Sequence, residues 1–208
     1  SSVGNLSGDG QVALGGGMSS FAGTFERLRL NGFVTGLAST ASGNVRAQWE
    51  ALNFATATGD ANIRLLGNRP AAEGVYPIAG NVRVRQAGGG RRFVNIDRAE
   101  LSGIEASGTI AIGARDQLSG QLVAKTPNVA AQPYVELPLE GAATLELKLS
   151  GTVERPQAEF GLAAPALKAD TLTGIAVRSE GRANRQRVEL DSAIVQWGGQ
   201  TLSARGVV

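Results

Sequence analysis

The chain has 208 residues with 42% hydrophobic content and only 5% aromatic content, so its apolar surface is built from small and medium aliphatic side chains. It has no Cys and no His, which excludes disulfide frameworks, thiolate or imidazole metal sites, cysteine nucleophiles and a histidine general base. A net charge of +2 with no basic run longer than Arg91-Arg92 leaves no nucleic-acid footprint, and no stretch reaches the ~20 apolar residues of a membrane-spanning helix.

Along the chain, strand-like alternation replaces helical periodicity. Val45, Ala47 and Trp49 face away from Arg46, Gln48 and Glu50, and Val82 and Val84 face away from Arg83 and Arg85. Ile104, Ala106, Gly108, Ile110 and Ile112 alternate with Glu105, Ser107 and Thr109. The longest run is Thr144 to Glu154, with Leu145, Leu147, Leu149, Gly151 and Val153 on one face. Turns are marked at Gly15-Gly16-Gly17, Gly67-Asn68-Arg69-Pro70, Gly88-Gly89-Gly90 and Gly198-Gly199. Apolar in, charged out, then a turn: this spacing predicts antiparallel meanders.

Segment 126–139 breaks the rhythm with Pro127, Pro133 and Pro138. It reads as a connector carrying at most one short helix near 127–134, between sub-segments 1–125 and 140–208 of a single β-repeat module. Both ends look like cuts through a longer chain.

Twelve of the 29 glycines sit at the centre of an apolar-x-Gly-x-apolar motif, against roughly five expected by chance. Examples are Ala41-Ser42-Gly43-Asn44-Val45 and Ala106-Ser107-Gly108-Thr109-Ile110. Glycine on an apolar strand face permits a bend or a close backbone approach. The expected fold class is therefore all-β: an elongated, curved β-sheet repeat with an open groove. A degenerate repeat links Arg92–Ile110 with Arg187–Val208, each a strand, a short connection and apolar-x-Ala-x-Gly-x-apolar.

Over about 70 residues, from Leu139 to Val208, the chain resembles the AsmA-like superfamily and within it the TamB-like (translocation and assembly module) envelope proteins. The resemblance rests on Gly141–Pro156, a strand followed by Ser150-Gly151-Thr152-Val153 and then Pro156, and on the strand-Gly-Gly-strand unit Val188–Val208. A weaker match covers Gly80 to Leu122. It implies a half-open β-sheet with an apolar groove in an inner-membrane-anchored protein crossing the periplasm of a diderm bacterium. It also implies transport of phospholipid between membranes and outer-membrane assembly. The implied partners are phospholipid acyl chains, adjoining repeats of the same full-length protein and an outer-membrane barrel.

The candidate groove residues are Val45, Val82, Val84, Ile104, Ile110, Ile112, Leu145, Leu147, Leu149 and Val153, with Trp49 and Trp197 as candidate rim aromatics. No catalytic residue, metal ligand or cofactor is expected. Glu136 and Glu140 read as a solvated connector, and Arg83, Arg85, Arg182, Arg185 and Arg187 as a charged outer face that keeps the sheet soluble. The alternative reading is a closed β-solenoid, structural or adhesive, in which the aliphatic faces form a sealed core.

Overall fold

The computed structural model describes residues 4–32, 35–72, 74–131 and 138–207. They form thirteen strands: β1 (Asn5–Gln11), β2 (Met18–Arg29), β3 (Ser39–Glu50), β4 (Asn53–Gly67), β5 (Ala79–Ala87), β6 (Arg91–Leu101), β7 (Ile104–Ile112), β8 (Leu118–Thr126), β9 (Ala143–Gly151), β10 (Pro156–Ala169), β11 (Leu172–Asn184), β12 (Val188–Trp197) and β13 (Gln200–Val207). The fold is all-β. The strands form one antiparallel sheet whose order is the order of the chain, and β1 and β13 are its two edges.

Among the described residues the short helical turns are Leu30–Gly32 and Val129–Ala131, while at Ala114–Asp116 the chain turns with Arg115 in the left-handed region (φ +59°). Val129–Ala131 falls inside the expected 127–134 helix, and the rest of that expectation from residue 132 on lies, with residues 135–137, outside the described residues. Asn31-Gly32 is a turn dipeptide that marks the Leu30–Gly32 turn in the sequence. Asn128 Oδ1 accepts hydrogen bonds from the Ala130 and Gly141 amides, 3.1 Å each.

Contacts divide the chain into two compact units, 1–101 with 111–115 and 102–110 with 116–208. In the first unit, cross-strand register places apolar side chains in rows on one face. One row runs Phe25, Gly43, Ile63, Val82, Ile96; the next runs Gly23, Val45, Ala61, Val84, Val94. The other face carries Thr24, Asn44, Asn62, Arg83 and Asn95. In the second unit, Leu122, Leu147, Phe160, Gly181 and Leu190 form one row, and Ala124, Leu145, Leu162, Ser179 and Ala193 the next.

The glycines of these rows make room for rings. Phe25 Cζ lies 3.0 Å from where a Gly43 Cβ would stand, and Phe21 covers Gly23 and its cross-strand partner Gly8 in the same way. A ring lying flat over a bare glycine backbone restores the packing that the glycine lacks. At Gly80 and Gly108 the backbone itself requires glycine: φ is +149° and +146°, and a Cβ would run into the Arg98 and Gln121 carbonyls of the next strand. Close approach, the second of glycine's expected roles, accounts for these positions.

Full burial is scarce. Among the described residues the buried apolar side chains are Ala38, Ala41, Trp49, Ala164 and Leu167. The chain exposes 13606 Å² for a mass of 21.4 kDa.

Candidate functional site: a half-covered apolar face

The feature that repeats in both units is the aliphatic face itself. Alternation puts Val45 on β3 and Val84 on β5 in one row, separated by Ala61 of β4. Around them Ala47, Ala57, Gly59 and Gln86 line a shallow hollow of about 180 Å³. Val82 lies one row further along, between Ile63 and Ile96. In the second unit Leu147 stands between Leu122 and Phe160, Leu145 between Ala124 and Leu162, and Leu149 between Gly120 and Ala158. Ile110 borders Gly120, whose Cβ would meet the Ile110 Cα at 3.0 Å. Ile104 and Ile112 open and close β7.

Nine of the ten sequence candidates are half-buried strand residues: Val45, Val82, Val84, Ile104, Ile110, Ile112, Leu145, Leu147 and Leu149. Val153 is different. Strand β9 ends at Gly151, where φ is +88°, and residues 152–155 turn back, with the Thr152 amide donating to the Arg155 carbonyl at 3.2 Å. The run to Glu154 expected from alternation is therefore too long, and Val153 is 43% exposed on the turn.

The two tryptophans part company. Trp49 is 9% exposed and stacks on Phe54 with ring centroids 5.2 Å apart. Its cross-strand partner Ser19 is fully buried; the Ser19 hydroxyl accepts from the Ala13 amide (3.0 Å) and donates to the Ala51 carbonyl (2.6 Å). Trp49 thus closes the end of the apolar face under the β1–β2 connection, and its Nε1–H finds no acceptor among the described residues. Trp197, the last residue of β12, is 42% exposed.

The opposite face is ionic. Arg83 grips Asp97 through two hydrogen bonds, 2.6 and 3.0 Å, while Lys148 meets Glu159 at 3.3 Å and Arg182 meets Asp191 at 2.9 Å. The hydrogen bond and charge of Asp97 push the Arg83 pKa still higher, and Asp191 does the same for Arg182. Arg85 lies over the Phe93 ring, 4.8 Å from its centroid. Around Gly161 this face has a hollow of about 620 Å³, lined by Glu146, Lys148, Glu159, Glu180, Arg182 and Asp191. Among the described residues there is no group of three or more side chains suited to hold a metal. Glu136 lies outside the described residues.

The sequence reading missed the row partners Phe25, Ile63, Val94, Ile96, Leu122, Phe160, Leu162 and Leu190. The signal for the first was available in the period-two run Phe21-x-Gly23-x-Phe25. The others needed the register between strands. No protein-family model matches the chain, and neither a curated protein nor a solved structure matches it.

Proposed function

We propose that the chain is a non-catalytic section of an apolar surface for phospholipid acyl chains, within a TamB-like, AsmA-like protein of the periplasm. The observation that carries this reading is the half-buried state of the aliphatic rows. Leu145, Leu147 and Leu149, with Val45, Val82 and Val84, are packed against row neighbours and still reach solvent. Each methylene moved from water onto such a surface gains ~0.8 kcal/mol, so an acyl chain of about sixteen carbons gains up to roughly 12 kcal/mol if fully covered. Continuity of the rows is all that this chemistry demands, which suits a sequence with pattern and no constellation of reactive groups. A closed solenoid would bury the same rows, which is why their exposure favours the lipid reading.

Native mass spectrometry of the chain purified from a bacterial envelope extract, with lipid extraction in parallel, tests the proposal. Co-purifying phospholipid is expected. Leu147→Asp and Ile110→Asp should remove it while the circular dichroism spectrum stays β-rich, and Val153→Asp, on the exposed turn, should keep it. Lipid retained by folded Leu147→Asp and Ile110→Asp proteins would overturn the reading.

A further inference from the structure

In the first unit the connections β1–β2, β3–β4 and β5–β6 emerge at the same ends of their strands, because consecutive strands are antiparallel. This edge concentrates exposed apolar side chains. Leu14 is 81% exposed and Phe54 67%, and Val12, Met18 and Leu52 are each more than half exposed. The two connections that carry them are tied together: the Ala51 amide donates to the Gly17 carbonyl at 2.8 Å, and the Ser19 hydroxyl bridges Ala13 and Ala51. The Gln86 side chain then ties the β5–β6 end to β4 by donating to the Ala57 carbonyl at 2.9 Å.

The charge at this edge is net positive. Residues 12–18, 51–58 and 86–92 contain no Asp or Glu and two basic residues, Arg91 and Arg92. Both arginines are exposed, and neither has an ion-pair partner among the described residues. Glu50, at the base of the β3–β4 turn, is the acid that borders the edge.

We infer that this edge docks onto an anionic lipid bilayer, with Leu14, Phe54 and their neighbours entering the headgroup–acyl boundary and Arg91 and Arg92 meeting lipid phosphates. Projecting apolar side chains flanked by two arginines unpaired among the described residues, against the single acid Glu50, are the complement of a negatively charged membrane surface. A protein socket would need a fixed shape, whereas the apolar tips here sit on separate connections and include Gly15-Gly16-Gly17. A bilayer accepts such tips without shape complementarity. The inference concerns the strand ends, not the aliphatic rows, and stands apart from the lipid-carrying role proposed above.

Vesicle flotation tests it, using the 208-residue chain with phosphatidylcholine vesicles and with vesicles of equal parts phosphatidylcholine and phosphatidylglycerol. The chain should float with the anionic vesicles, and less so as salt is raised. The double variant Leu14→Asp/Phe54→Asp should bind roughly tenfold more weakly or worse. Arg91→Glu/Arg92→Glu should lose the preference for anionic vesicles. Leu147→Asp should float as wild type does, which separates this edge from the aliphatic face. For a readout with native tips, Trp197→Phe leaves Trp49, packed on Phe54, as the sole indole, and brominated acyl chains should quench it. Absence of flotation and quenching would overturn the inference. So would full flotation of folded Leu14→Asp/Phe54→Asp, flotation lost only in Leu147→Asp, or a loss in the tip variants confined to self-association or to capture of a protein partner.

Discussion

The ring of Phe160 lies across Gly181, its cross-strand partner, so closely that a Cβ on Gly181 would stand 2.8 Å from the ring's Cζ. On the other side the same Cβ would meet the Glu189 carbonyl of β12. Gly181→Ala therefore overpacks the apolar face and should destabilise the protein by about 1–3 kcal/mol, read as a lower urea midpoint. The backbone carbonyl remains when the ring is trimmed, so adding Phe160→Leu should not restore the midpoint. Full rescue by Phe160→Leu would mean that the ring alone sets the constraint.

Gly161, one residue along from Phe160 in β10, predicts the opposite sign. A Cβ there meets nothing within 4 Å, and its φ is not in the left-handed region. Gly161→Ala should stabilise by about 0.4–1 kcal/mol, because alanine restricts the unfolded chain without straining the folded one. A drop in the thermal midpoint would refute this account.

Ser19 is the most completely buried polar side chain with two named partners, Ala13 and Ala51. Ser19→Ala leaves a part-buried amide and a part-buried carbonyl without their partner, which should cost about 0.5–1.5 kcal/mol for each bond lost. It should also loosen the β1–β2 connection over Trp49, so the indole emission should shift to the red in a Trp197→Phe background. An unchanged urea midpoint would show that water replaces the hydroxyl at no cost.

Stability should be nearly flat between about pH 6 and 9. The chain has no His and no Cys, the side chains whose ordinary pKa values lie nearest that window. Arg83 and Arg182 have raised pKa values in the folded state. Groups of that kind contribute stability that is fully present below their unfolded pKa and is lost only as pH rises through the folded one, far above neutrality. Thermal melts across the window should superimpose; a sigmoidal change of midpoint within it would contradict the assignment.

The all-β class and the two faces of each strand are legible because alternation is a local property, carried by runs such as Leu145-Glu146-Leu147-Lys148-Leu149. Register is not. Nothing within Phe160 or Gly181 alone announces that they will meet, since that depends on where β10 and β11 are bent relative to each other. The end of β9 is hidden for a related reason: Val153 continues the period-two pattern, but Gly151 has already turned the chain. Size and amphipathic character suggest a rim for Trp49, and Ser19 and Phe54, neither of them marked by alternation as its neighbour, seal it instead. The exposed tips at Leu14 and Phe54 escape a reading of alternation because they lie where it stops.

Because strand order follows chain order, each strand of the ladder pairs with its neighbours in the chain, and longer-range pairings such as Leu37 with Tyr76 are isolated bridges. Most of the closures are short, so the topology favours incremental folding despite its all-β content. Each hairpin can settle onto the one already made while the remainder of the chain is still being synthesised. A lesion in one strand then delays the strands after it and spares those already laid down.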